Sequence, residues 1–202
     1  MAGRTVSRFN EAATRDGRGT VVTWCASCHM HMSDIMAPGN MVAFDITHIS
    51  ELLIASIDRL APLLTVSVPR RVLLHRHLGF STHVPINDRV TNMLSRIPEL
   101  ELIEGPALPG HMCSGIAAVP GALKAVIGET WSAEIANRAD TVCTIFHPCH
   151  REFAALDGRD NIRVRNWVQL VAEAMGIEAS DAYVGWRNGG APDIAAIERA
   201  EP

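Results

Sequence analysis

Two stretches of this chain repeat one another, and that repeat limits its fold more than any other feature. Thr20-Val21-Val22-Thr23-Trp24-Cys25-Ala26-Ser27-Cys28-His29 runs parallel to Thr141-Val142-Cys143-Thr144-Ile145-Phe146-His147-Pro148-Cys149-His150, so Cys28 and Cys149 stand 121 residues apart. Each copy opens on β-branched residues of strand character and breaks at a small or proline-containing turn. The segments downstream of the two copies correspond as well: Ile49-Ser50-Glu51-Leu52-Leu53 matches Trp167-Val168-Gln169-Leu170-Val171, each with apolar residues at helical spacing.

The second copy has a longer lead-in. Arg71-Val72-Leu73-Leu74 is a short apolar strand ending at His75, and Ile86 to Ile97 sets Val90, Met93, Leu94 and Ile97 on one helical face. Leu100 to Glu104 alternates as a strand does, and Gly115 to Ala136 is a Gly/Ala-rich helical stretch. Ala139-Asp140 then leads into the repeated strand, and the Gly- and Pro-containing tail after Asp181 is expected to pack loosely. Alternating strand and helix predict an α/β fold of layered, parallel-type sheet units with flanking helices. One partial pseudo-repeat (1–64, carrying the Cys-x-x-Cys) and one complete pseudo-repeat (65–202) are expected to pack together.

Composition narrows the function. A net charge of −4 argues against nucleic acid as a partner, because phosphate neutralisation needs surplus Lys and Arg on one face. The longest greasy stretch, Ile46 to Val68, is interrupted by His48, Glu51, Asp58, Arg59 and Pro62, so no transmembrane segment is expected. The first 19 residues mix Arg4, Arg8, Arg15 and Arg18 with Glu11 and Asp16 and have no apolar signal core, which predicts an exposed helix. A cytoplasmic, reducing location is the resulting expectation. There five cysteines serve as ligands, redox thiols or buried small hydrophobes rather than as a disulfide framework.

Cys25 and Cys28, two residues apart after a strand, can aim both sulfurs at one metal or at each other. Burial of both as small apolar groups is the structural alternative. His29, His31, His75, His77, His111, His147 and His150 lie beside the cysteine segments, where they could complete a Cys₂His₂ zinc set or simply line a polar strand-end surface. Cys143 falls inside a predicted strand and reads as core. Trp131, Trp167 and Trp186 read as packing residues, and Met30, Met32 and Met36 as core filling rather than a copper(I) site.

The order of these segments resembles the cysteine-rich CCG domain of the B-type heterodisulfide reductase subunits and their relatives in glycolate, lactate and glycerol-3-phosphate oxidation. His75-Arg76-His77-Leu78-Gly79 is similar to that domain's first histidine-containing element, and Ile97-Pro98-Glu99-Leu100-Glu101-Leu102-Ile103-Glu104 to its strand. His111-Met112-Cys113-Ser114-Gly115 stands where Cys-Cys-Gly would, and Arg138 to Cys149 resembles the closing Cys-Pro-x-Cys segment. Val22 to His29 resembles the same closing segment of a first unit whose front half is absent.

The resemblance implies an electron-transfer or thiol-redox subunit of an iron–sulfur oxidoreductase complex. Its ligands would be Cys25, Cys28, Cys113 and Cys149, with His77 and His150 added for metal, and its partners other redox subunits or a second copy. Departures from the pattern imply a depleted site: Met112 and Phe146 replace cysteines, and a further cysteine of the first element is missing. Four thiolates are the usual cubane complement. A cluster-free or zinc-binding scaffold subunit is therefore the alternative, with a thioredoxin-like dithiol reductase at Cys25 and Cys28 as a third.

Overall fold

The computed structural model describes residues 2–15, 17, 19–78, 85–108, 110, 112–178 and 180–189. The chain is α/β, with parallel sheets flanked by helices, and divides into two compact units, Met1–Ala61 and Pro62–Pro202. Among the described residues no helix is long and apolar enough to cross a membrane.

In the first unit, helix α1 (Ala2–Arg15) precedes strand β1 (Gly19–Thr23), whose β-branched run pairs in parallel with β2 (Phe44–His48). Between them α2 (Ala26–Met30) runs on into a π-helical stretch, His31–Met36. The N-terminal helix is exposed on one face only. Val6 and Ala13, seven residues apart and hence on one side, are buried with Met36 and Phe44, and Phe9 packs edge-on against Phe44 at 5.5 Å. Met32 and Met36 both serve this core, consistent with a filling role. The Asn10 side chain ties α1 to the loop before β2, donating to the Met41 carbonyl at 2.7 Å and accepting from the Ala43 N–H at 2.7 Å. Helices α3 (Ile49–Ala55) and α4 (Ile57–Leu60) complete the unit.

The second unit is built on four parallel strands in the order β4 (Glu101–Leu108), β3 (Arg71–His77), β5 (Thr141–Thr144), β6 (Arg163–Asn166). Val72, Leu73, Leu74, Val142 and Cys143 are buried, as the near-continuous apolar runs of a two-sided parallel sheet require. Helix α5 (Ile86–Leu94) presents Ile86, Val90, Met93 and Leu94 to the core, with Ile97 buried just beyond it. The Gly/Ala-rich stretch is not one helix. It forms α6 (Cys113–Ile116) and α7 (Ala122–Ala136), separated by a turn over residues 117–121, where Gly121 takes a left-handed φ of 76° at the start of α7. Helices α8 (His147–Phe153) and α9 (Trp167–Ala174) follow β5 and β6. The expected loose tail begins instead as α10 (Ala182–Gly189), with Val184 buried and Asp181 accepting from the Val184 N–H at its start. Residues 190–202 lie outside the described residues.

Chain order and strand order together create a switch point. The chain moves from β3 to β4 on one side, then crosses to β5 on the other side of β3. Crossovers that diverge in this way leave a crevice beyond the carboxyl ends of β3 and β5, the usual ligand position in open α/β sheets.

The sequence repeat recurs as a repeat of contacts. In the first unit the Thr23 hydroxyl donates to the Thr47 carbonyl at 3.1 Å and accepts from His29 Nδ1 at 2.9 Å. In the second, Thr144 donates to the Arg165 carbonyl at 3.3 Å and accepts from His150 Nδ1 at 3.1 Å. His48 and Asn166, each ending the second strand of its pair, each cap the next helix through a side chain, accepting from the Ser50 and Val168 N–H groups. The Asn166 cap contributes about 1 kcal/mol.

Candidate metal centre

Four donors meet in the switch-point crevice of the second unit. His75, His77, Cys113 and Cys149 are each fully buried, and one ligand atom from each lies within 4.8 Å of all the others. His75 and His77 are two apart on β3, so the pleat turns both rings to the same face. Cys113 opens α6 after β4, and Cys149 lies in the first turn of α8 after β5. Three adjacent strands thus each deliver a ligand at or beyond their carboxyl ends.

The spacing is tight. His75 Nε2 is 3.1 Å from His77 Nε2 and 3.3 Å from Cys113 Sγ, while His77 Nε2 is 3.5 Å from the same sulfur. The Cys113 N–H points at Cys149 Sγ at 3.4 Å. Rings close the surroundings: Phe153 packs on His75 at 4.6 Å and Phe146 on His77 at 6.2 Å. Phe146 holds the position where the resembled pattern has a cysteine, and fills it with apolar surface.

The tautomer of His75 is set by its partner. Thr130 Oγ1 donates to the Val126 carbonyl at 3.0 Å, so toward His75 Nδ1 at 3.1 Å it can only accept. The Nδ1 proton is therefore held by Thr130, and the Nε2 lone pair faces the other three donors. A histidine ligand oriented through its second nitrogen is the common arrangement of metal sites. The far end of β3 is fixed too, since the Asn87 side chain donates to the His77 carbonyl at 2.7 Å. A shift of register opposite His75 marks a bulge in β4, at Gly105-Pro106. A Cβ on Gly105 would stand 2.6 Å from the Leu74 carbonyl oxygen.

The two sulfurs differ in charge. Hydrogen bonding from the Cys149 thiol, opposed by burial, chiefly holds Cys113 down to about 3, a thiolate at neutral pH. Burial, then the adjacent Cys113 sulfur, pushes Cys149 well above the ordinary thiol range. Burial chiefly, with the Cys113 sulfur opposing it, lowers His75, so its imidazole is neutral.

The remaining residues singled out in the sequence lie elsewhere. Cys25 and Cys28 are in the first unit, half-buried and exposed respectively, and no metal-capable group of three or more donors among the described residues includes them. Cys25 Sγ is 3.3 Å from Ser27 Oγ. Burial raises this thiol, but hydrogen bonds from Ser27 and from the Cys28 backbone and thiol outweigh that and leave it lowered. His150 is held by Thr144 on one side, while its Nε2 meets Asp181 Oδ2 at 2.6 Å. Gln169 donates to the same carboxylate at 2.9 Å. His29 pairs with Thr23, and His111 lies outside the described residues. Cys143 is core, its thiol pushed up by burial and by nearby Glu134. Trp131 and Trp167 are buried, Trp131 donating to Asp160 at 2.9 Å, whereas Trp186 is 41% exposed and packs on Tyr183. The apolar run in the sequence stops short of His75, which hides the alternation that pairs His75 with His77. Thr130, on a distant helix, carries no local signal.

No protein-family model matches the chain. It is 27% identical over 189 residues to the D subunit of dihydromethanophenazine:CoB–CoM heterodisulfide reductase from Methanosarcina mazei, an alignment covering 87% of this chain and 46% of that protein. The chain thus spans about half the length of this curated relative. A solved structure, the Gly74Cys mutant of arylmalonate decarboxylase in its sulfate-associated form, superposes with a TM-score of 0.39 at 15% identity. That match covers 89% of this chain and 78% of the other, and is too slight to bear on function.

Proposed function

We propose that the second unit holds a single four-coordinate metal ion, zinc by its donor set, through His75, His77, Cys113 and Cys149. In this reading the chain is a metal-binding subunit of a redox assembly of the heterodisulfide-reductase type. The observation that supports it is the spacing of the four buried donors. A tetrahedral zinc with bonds of about 2.0 Å to nitrogen and about 2.3 Å to sulfur sets N···N at about 3.3 Å and N···S at about 3.5 Å. The separations among His75, His77 and Cys113, 3.1, 3.3 and 3.5 Å, fall close to those values, with the Cys149 sulfur within 4.8 Å of all three.

Two thiolates would balance the charge of a divalent cation in a dry crevice, and loading therefore requires the Cys149 proton to leave. Four protein ligands fill a tetrahedron, which is the signature of a structural rather than an open catalytic zinc. The ion would then brace the ends of β3, α6 and α8, and electrons would travel through partner subunits. Similarity to a heterodisulfide reductase subunit supports membership of such an assembly.

An iron–sulfur centre is the second reading, supported by the same relative and by the order of Cys113 and Cys149 in the chain. Cubane ligands each bind a different iron and so stand further apart than donors sharing one ion, which favours zinc here. Metal and acid-labile sulfide analysis of anaerobically purified full chain, with X-ray absorption at the metal edge, separates the two. One zinc per chain with a shell of two nitrogens and two sulfurs is expected. Iron with stoichiometric sulfide would replace zinc with a cluster, and protein that binds neither metal on reconstitution would overturn both.

A further inference from the structure

Cys25 and Cys28 are left without a role by the centre in the second unit. Their surroundings differ from those of Cys113 and Cys149 in two ways. Cys25 is half-buried and Cys28 exposed, whereas Cys113 and Cys149 are fully buried. Cys25 Sγ lies 3.3 Å from Ser27 Oγ, and no third metal-capable donor among the described residues joins the pair. The turn that carries them is braced from below. The His48 imidazole holds the Trp24 carbonyl through Nε2 at 3.0 Å, Thr23 holds His29, and the His29 N–H closes on the Cys25 carbonyl at 2.9 Å. Trp24, next to Cys25 in the chain, is 46% exposed.

We propose that Cys25 and Cys28 form a redox-active dithiol that exchanges with low-molecular-weight disulfides, a site separate from the metal centre. Cys25, whose sulfur lies 3.3 Å from the Ser27 hydroxyl, is the attacking thiolate. It displaces one thiolate from the disulfide and forms a mixed disulfide at Cys25. Cys28 then gives up its proton and attacks Cys25 Sγ, expelling the second thiolate and closing a Cys25–Cys28 bond. The disulfide gains two electrons and two protons, one from Cys28 and one from solvent. The protein loses the same two electrons, and an external dithiol restores it for a further round. Cys25 caps the start of α2 and Cys28 lies in its first turn, three residues on, a spacing at which neighbouring side chains on a helix face one another.

The probes are 5,5′-dithiobis(2-nitrobenzoate) and glutathione disulfide, added to the full-length chain and followed by intact and peptide mass analysis. Wild type should release two chromophores for this pair, retain no adduct there, and yield a peptide about 2 Da lighter than its reduced form. Cys28→Ser should stop at a stable adduct on Cys25. Cys25→Ser should react at Cys28 at least about tenfold more slowly, because the stabilised thiolate is gone. Wild type that keeps an adduct on either cysteine, or a Cys28→Ser variant that clears its adduct as wild type does, would overturn the proposal. So would zinc or iron bound to these two sulfurs in the purified protein. Since the readout is confined to one peptide of the first unit, its outcome is independent of the metal content of the second.

Discussion

Thr130 shows how a residue with no chemistry of its own can decide a site. Its hydroxyl proton is committed to the Val126 carbonyl, so it accepts from His75 and leaves Nε2 as the ligand atom. Thr130→Val keeps the volume and removes the acceptor. The Nδ1 proton then loses its partner inside a dry pocket, and the ring is free to present either nitrogen. Loss of such an outer partner typically weakens metal affinity about 10- to 100-fold. Competition between this variant and a chromophoric chelator for zinc should show that loss, with the circular dichroism of the fold unchanged. Wild-type affinity would mean that His75 is oriented by its packing on Phe153 instead. At this scale the chain was partly legible. Cys113, Cys149 and His77 were readable from the segments that carry them, but burial and mutual distance, which separate them from Cys25, Cys28 and His150, are properties of the folded chain alone.

Elements place these residues, and α7 carries a titratable group that reports on how it packs. Glu134 is fully buried on α7. Burial first, and Asp140 second, raise its carboxyl from 4.5 to about 8, and the Cys143 thiol on β5 shares the same surroundings. The carboxyl stays protonated in the folded chain while it ionises near 4.5 in the unfolded one, so its stabilising effect is complete below that pH. That effect is lost as pH rises toward about 8, amounting to a few kcal/mol at most, on the order set by linkage. Urea denaturation of wild type and Glu134→Gln between about pH 5 and about pH 8.5 should show wild type losing stability relative to the variant as pH rises. Parallel curves would show that this carboxyl reaches water. Helix and strand periods identified β1, β3, β5, α5 and α9 from sequence, whereas β6, with Arg163 and Arg165 in its four residues, offered no apolar alternation to find. The turn over residues 117–121 that separates α6 from α7 is concealed by a Gly/Ala-rich composition.

For the whole molecule, the two units differ in what an added ion should do. Zinc bound only by the folded second unit stabilises it by about 2.7 kcal/mol at a free concentration about 100 times its Kd. Amide hydrogen exchange of the full chain with and without zinc should therefore gain protection in peptides spanning 71–77, 113–116 and 147–153. Peptides spanning 19–30 and 44–55 should be unchanged, since the four donors all belong to the other unit. Protection confined to 19–30 would relocate the metal to Cys25 and Cys28.

The sequence by itself determined what was periodic or local. Alternating strand and helix signals set an α/β chain with parallel pairing, the self-similarity of residues 20–29 and 141–150 set its repeated plan, and the spacing of Cys25 and Cys28 set a pair of thiols within reach of each other. Only the tertiary structure decided which donors meet. His75 and His77 are far from Cys113 in the chain and further still from Cys149, and they converge because strands β4, β3 and β5 lie side by side across a switch point. Strand order depends on long-range pairing and on the packing of α5 to α9, which no local pattern encodes. The same cysteine-and-histidine motif therefore ends as a half-buried and an exposed thiol in one unit and contributes to a buried group of four donors in the other.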